Sequence, residues 1–343
     1  MKKINLALVG YGFSGSTFHL PTIKENKNYH IKYIMTRNKD RQAQAKRDCK
    51  DVIIATDYSQ ILNDHTVDVV ILATSNKVHY AYTKEALEHG KHVVCEKPFV
   101  KSYKTAKKLF DLAEEKNLIL RVFHNRKYDG DVLTLKQLLN DIDFGKIVSF
   151  HARFDQFKPE IGENWRFKNV EMGGLFYDLA PHLVHYTIDL FGMPKKVYNK
   201  LYKDRANMTV DDRFEMILYY DTFECHLSAQ MLARDPNPKF QIIGTHATYT
   251  KYGYDEPETI HTRQKDIYQL DQQNSYLVDN HKHKESIKVL KGKHYLFYEL
   301  LAQHIYKKPE KDIDKFLSLG VIHIMEMAMK SQNTEKIIEI KTI

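Results

Sequence analysis

Cysteine is scarce in this chain. Cys49, Cys95 and Cys225 are the three cysteines in 343 residues, far apart and odd in number. They support neither a disulfide framework nor a zinc site. Cys95 stands beside a charged pair, where a nucleophile could sit; a small residue closing a buried strand explains it more simply. Long apolar runs are also missing. No stretch reaches the length that crosses a bilayer, and the start MKKINLALVGYG has too short an apolar run before its glycines for a secretory leader. The expectation is a cytoplasmic protein with no membrane partner. There is one tryptophan and no internal repeat.

What is present is globular in composition. The chain is 43% hydrophobic, and its length suits two domains. A net charge of +8 raises nucleic acid as a partner. The lysines are scattered and mixed with acids, as in KENKNYHIK and KHKESIKVLKGK, and no basic helix, zinc finger or aromatic RNA-binding motif appears. Solvated lysine faces and attraction of anionic ligands account for the charge, so no nucleic acid is expected.

From residue 4 to about 125, short apolar runs alternate with helical stretches. INLALVG, HIKYIMT, VDVVILAT, HVVCE and LILRVF read as buried parallel strands. STFHLPTIKEN, KDRQAQAKRDC, VHYAYTKEALEHG and KSYKTAKKLFDLAEEKN read as the helices between them. This alternation predicts an α/β Rossmann domain, a doubly wound parallel sheet, over residues 1–125. After that the pattern changes. GKIVSFHARF, VDDRFEMILYYD, TFECHLSAQML, KFQIIGT and ATYTKYG read as strands with short turns around one helix in GGLFYDLAPHLVHYTIDLFG. The prediction for 126–343 is an α+β domain with an open, mainly antiparallel sheet and helices at its end. The polar stretch 255–290 reads as a loop region.

The chemistry begins at VGYGFSG. Gly10, Gly12 and Gly15, with Phe13 and Ser14 between them, have GxGxxG spacing after a strand and before a helix. Glycines there allow a tight turn, close approach to a pyrophosphate and helix–strand packing. In a first βαβ unit this spacing points to dinucleotide binding. The next strand ends in Thr36 and Arg37, where NAD-binding proteins usually carry an acid for the ribose. An arginine pairs with a 2′-phosphate, so NADP is favoured over NAD. The other reading is a solvated Arg37 with Asp40 as the ribose acid.

Polar residues gather after the other strands: Thr74, Ser75, Asn76 and His79, then Glu96 and Lys97, then His124, Asn125 and Arg126. In an open α/β sheet the carboxyl edge is where ligands lie. On the later helix, Asp178, His182, His185 and Asp189 follow at spacings of 4, 3 and 4. Three readings fit: a metal site, capping or pairing, or an acid–base pair in which Asp178 orients His182. Pro181 makes strict helical spacing uncertain.

Through GYGFSG, ATSNKVHY, HGKHVVCEKP and GGLFYDLAPHLVHYTIDLFG, taken in this order, the chain resembles the Gfo/Idh/MocA oxidoreductases over nearly its whole length. FHNRKYDGD, WRF, VDDRF and KYGYDEPE resemble the branch with the NADP-dependent scyllo-inositol dehydrogenases. The resemblance implies a Rossmann domain, a C-terminal domain for substrate and oligomer contacts, and a homodimer or homotetramer through its sheet. It implies a sugar or cyclitol substrate. It places the catalytic lysine on Lys97, the helix acid and histidine on Asp178 and His182, and a pair near the nicotinamide on Trp165 and Arg166. Many members carry an acid where this chain has His185.

With no metal needed, the acid–base reading of the helix gains. An imidazole moves a proton near neutrality, since its ordinary pKa is roughly 6.5. An ammonium at Lys97 stabilises negative charge growing on the substrate oxygen. A non-catalytic cofactor sensor is the competing expectation; such a protein has no need of Lys97, Asp178 and His182 together.

Overall fold

The computed structural model describes residues 3–160, 170–254, 275–307 and 312–341. Trp165 and Arg166 lie outside the described residues. The chain divides into two compact units, one of Met1–Asn125 with His294–Leu319 and one of Arg126–Lys293 with Gly320–Ile343.

In the first unit, β1 (Ile4–Val9), β2 (Tyr29–Met35), β3 (Ile53–Ala55), β4 (Val69–Leu72), β5 (His92–Cys95) and β6 (Leu120–Val122) form a parallel sheet. Its order is β3-β2-β1-β4-β5-β6, the doubly wound Rossmann arrangement, which reverses between β1 and β4. Val69, Val70, Ile71 and Leu72 are fully buried, as strands covered on both faces must be. Between the strands run α1 (Leu20–Lys24), α2 (Lys39–Asp48), α3 (Tyr58–Leu62), α4 (His79–Glu88) and α5 (Tyr103–Glu115). Asn38, Asp57 and Ser102 start α2, α3 and α5 by accepting hydrogen bonds from backbone N–H groups of their first turns. Late in the chain, the helix Leu296–Tyr306 returns to this unit. Its Tyr298 packs edge-on against Tyr29, and its Phe297 against Phe123.

The second unit opens with α6 (Gly130–Asp141) and β7 (Ile147–Asp155), followed by α7 (Leu175–Phe191). Then come β8 (Lys196–Tyr202), β9 (Arg213–Tyr219), β10 (Glu224–Gln230), β11 (Phe240–Gly244), β12 (Ala247–Lys251), β13 (Ser275–Asp279), β14 (Lys284–Ser286) and β15 (Ile338–Glu339). The described strands form one sheet in the order β14-β13-β12-β11-β7-β10-β9-β8-β15. Neighbours run antiparallel except β7 and β10, which are parallel. Alternate residues (Phe150, Ala152 and Phe154; Phe214, Met216 and Leu218) are buried, while His151, Arg153 and Ile217 between them are half-exposed. α7 lies on the buried face, with Phe176 edge-on to Phe214. Part of the 255–290 stretch, read as loop from sequence, is the β13–β14 hairpin that extends this sheet; 255–274 lie outside the described residues.

No helix among the described residues is long and apolar enough to cross a membrane.

Candidate active site

The glycine turn follows β1, its ladder continued by Gly10 N–H donating to the Met35 carbonyl at 2.9 Å. Gly10 has φ +99°, and a Cβ there would lie 2.2 Å from the Ala73 carbonyl oxygen. A Cβ on Gly15 would lie 2.3 Å from the Gly10 carbonyl oxygen. Both positions are closed to other residues by backbone, not by a ligand. Gly12 differs: its Cβ direction meets only the Arg41 guanidinium, at 3.6 Å. That leaves a shallow cradle with a cation at its rim.

Arg41 is a residue the sequence reading missed. It sits in the first turn of α2, its backbone N–H donating to the Asn38 cap at 3.0 Å. Arg37, by contrast, leans toward the β3 end, with Nε at 3.4 Å from the Thr56 carbonyl oxygen. Thr36 is buried, and its carbonyl accepts from Gln42 Nε2 at 2.9 Å; Asp40 is exposed on α2. The carboxyl end of β2 thus carries two arginines, one turned to each side.

At the end of β4, Thr74 Oγ1 is shielded from solvent and has no partner among the described residues. Ser75 caps the short turn Asn76–Val78. His79 is 1% exposed; its Nδ1 faces the Pro98 carbonyl at 2.9 Å and its Nε2 the Thr74 carbonyl at 3.3 Å. It ties the loop after β4 to the loop after β5, and burial lowers its pKa. At the end of β5, Cys95 is fully buried with its thiol pKa pushed well up by burial, which suits a closing residue and not a nucleophile. Glu96 turns inward, to Ser14 and His19. Lys97 follows, half-buried, and the Lys97–Pro98 peptide is cis. After β6, His124 is buried and Asn125 half-buried.

In the second unit α7 runs unbroken through Pro181. Gly174, the residue just before it, offers no side-chain cap. The cap comes from across the fold: Asp211 Oδ2 accepts from Phe176 N–H at 2.6 Å, and its carbonyl accepts from Leu175 N–H at 3.0 Å. Gly174 makes room, because a Cβ there would lie 2.1 Å from Asp211 Oδ1. One turn in stands Asp178, half-buried, and one turn further His182, 4% exposed. His185 is 2% exposed. Asp189 pairs with Lys136, so the last acid of the spaced set is engaged. Among the described residues no group of three His, Cys, Asp or Glu is arranged to hold a metal ion. Lys158, also missed from sequence, has its pKa lowered by burial against an opposing pull from the Asp178 charge.

Burial pushes the Asp211 carboxyl from 3.8 up to about 6, with the Phe176 and Leu175 N–H groups acting the other way. The folded state therefore holds this proton more tightly than the unfolded chain. From this group, stability is greatest below pH 3.8 and falls as pH rises to about 6, by roughly 3 kcal/mol. Asp211→Asn keeps an acceptor for Phe176 and has no charge to bury. From pH 4 to pH 7 the urea midpoint of Asp211→Asn should rise relative to that of the parent. An equal change in the two proteins would show that Asp211 does not titrate in this range.

A dinucleotide fits the first unit on three observations: the cradle at Gly12, the Arg41 guanidinium beside it, and the shielded, unpartnered Thr74 hydroxyl at the switch between β1 and β4. Comparison with known proteins agrees. Residues 4–124 match a model described as an oxidoreductase family with a NAD-binding Rossmann fold, and 132–250 match the GFO/IDH/MocA C-terminal domain. A scyllo-inositol 2-dehydrogenase (NADP(+)), IolW of Bacillus subtilis, is 30% identical over 98% of this chain and 95% of its own. Levoglucosan dehydrogenase of Pseudarthrobacter phenanthrenivorans is 27% identical over 56% of this chain and 52% of its own. The solved structure of yvaA from Bacillus subtilis superposes with a TM-score of 0.91 at 29% identity, covering 99% of both chains. A glycine turn built for phosphates, the two-sheet architecture and whole-length similarity make this chain a member of the Gfo/Idh/MocA family of oxidoreductases.

Proposed function

We propose that the protein is an NADP-dependent dehydrogenase that interconverts a secondary hydroxyl and a carbonyl on a cyclitol or sugar. The observation that carries the cofactor choice is the pair Arg37, just after β2 where an acid would serve NAD, and Arg41 in the first turn of α2. The names of the inositol and levoglucosan dehydrogenases support the substrate class.

When bound, the nicotinamide accepts or donates the hydride. The chain's own residues handle charge and proton. As the hydroxyl becomes a carbonyl, His182 takes the O–H proton, and it returns one in the reverse direction. Asp178, one turn before it, orients the imidazole or binds a neighbouring hydroxyl. Lys97, as an ammonium, donates to the substrate oxygen while negative charge grows there. A panel of cyclitols and aldoses with both cofactors, followed by nicotinamide absorbance, tests the reaction. Cofactor binding with no turnover of any member would favour a sensor.

NADP should bind at least about tenfold more tightly than NAD, since one charge-assisted contact of roughly 1.5 kcal/mol is worth that much. Arg37→Ala and Arg41→Ala should each weaken NADP by about that factor and leave NAD nearly unchanged. Fluorescence titration reads both. An equal loss for the two cofactors would place that arginine on a phosphate they share and remove it from the selection of NADP.

A homodimer or homotetramer is part of the proposal, formed through the face of the second sheet that carries His151, Arg153 and Ile217; a monomer by light scattering would remove this part.

A further inference from the structure

Four side chains of the first unit, three of them buried and Ser14 half-buried, form a chain of hydrogen bonds that the reaction as written does not use. Tyr298 is fully buried in the returning helix, and its hydroxyl meets His19 Nδ1. His19 is itself fully buried, and its Nε2 lies 3.1 Å from Glu96 Oε1. Ser14, inside the glycine turn, donates its hydroxyl to the same oxygen. The other oxygen, Oε2, accepts the backbone N–H of Lys97 at 3.0 Å. Phe123 packs against the His19 ring, with ring centroids 4.0 Å apart and planes tilted by 31°. From behind, Tyr29 fixes Tyr298 by donating its hydroxyl to the Tyr298 carbonyl at 2.6 Å.

We infer that His19, backed by Tyr298 and joined by Ser14, is a positioning residue that sets Lys97 through the Glu96 carboxylate. The geometry leaves Glu96 little other work. Ser14 and His19 take one of its oxygens and the Lys97 peptide takes the other, so the carboxylate is a bracket between the phosphate turn and the lysine loop. Burial alone would raise its pKa, but hydrogen bonds and charge from His19, the Ser14 hydroxyl and the Lys97 charge hold it well below the ordinary carboxylate range. An ionised carboxylate accepts only. Nε2 of His19 therefore carries the proton that faces Glu96, and Nδ1 stands against the Tyr298 hydroxyl. The far end of the series is the backbone N–H of Lys97. A lysine that must reach one oxygen atom tolerates little displacement of its own backbone. The same bracket links the turn that receives the phosphates to the residue proposed to act on substrate.

This rests on the role given to Lys97 under the proposed function, and the test separates the two. Ser14→Ala, His19→Ala, His19→Gln and Lys97→Ala are compared by turnover on one substrate the parent accepts, by NADPH titration and by urea midpoint. His19→Ala should lower turnover about tenfold or more with NADPH affinity within about twofold of the parent, and Ser14→Ala should lower turnover at saturating NADPH by more than any loss in its NADPH affinity. His19→Gln should recover most of the loss, because an amide can donate to Glu96 and accept from Tyr298. Three results would overturn the inference: turnover within about twofold of the parent in both alanine variants; turnover falling only in step with NADPH affinity, which would make these residues part of dinucleotide binding; or His19→Gln no better than His19→Ala, which would reduce His19 to packing. Should His19→Ala not fold, Ser14→Ala carries the first two comparisons, since it removes one half-buried hydroxyl. If Lys97→Ala turns over normally, the proposed reaction fails. If Lys97→Ala is inactive while Ser14→Ala and His19→Ala are normal, only the bracket fails.

Discussion

Lys97→Ala is expected to fold, to bind NADPH with near-parental affinity, and to lose about 10²–10³-fold in turnover, the usual cost of removing one preorganised donor to a developing oxyanion. The fold should survive because the anchoring at this strand end is backbone and neighbours, not the ammonium. Glu96 N–H donates to the Leu72 carbonyl at 3.0 Å and Phe123 N–H to the Cys95 carbonyl at 2.8 Å. Cys95 on one side and Phe99 on the other are buried, while Lys97 is only half-buried. Cofactor affinity should survive because the cradle at Gly12 and the arginines after β2 belong to other strands. Lys97→Arg should not restore turnover fully, because a planar fork does not replace a compact ammonium. Near-parental turnover of Lys97→Ala on an accepted substrate would mean that Lys97 does not act on the substrate oxygen, and the mechanism would be wrong.

The residues that reveal this edge are those whose signal is local. Gly10 must be glycine because a carbonyl stands 2.2 Å from where its Cβ would be, and that constraint leaves a fixed spacing in the sequence. The β4 run is legible because a strand covered on both faces is apolar throughout. Partners distant in sequence leave no such mark. His19 and Tyr298 meet across 279 positions, and Asp211 caps α7 from 35 positions beyond Phe176. Arg41 looks like one charge among many in KDRQAQAKRDC; only the curl of α2 brings it over Gly12. The short strand Ile53–Ala55 carries too few residues to show a period. The helix Leu296–Tyr306 shows its apolar stripe plainly, but a stripe says that a partner exists and not which sheet supplies it.

His182→Ala should lose about 10²–10⁴-fold in turnover, the range for deleting a positioned acid or base, with NADPH affinity unchanged by titration. The two acids of the spaced set on α7 are placed for other work. Asp189 is paired with Lys136, and Asp178, a carboxylate half-open to solvent with the Lys158 charge near it, is suited to orient or bind. His182 is an imidazole at 4% exposure, one turn beyond that carboxylate, on a helix whose start is fixed by Asp211 and Gly174. Removing a buried imidazole also costs packing, so rates are to be compared well below the unfolding midpoint of the variant. His182→Asn is the control for that cost: it keeps a polar side chain in the same space and still cannot shuttle a proton. Both variants should lose one titrating limb of the parent's pH–rate profile. A loss in stability with turnover intact would make His182 a core histidine. Activity that vanishes with a chelator and returns with zinc would give this helix to the metal reading instead.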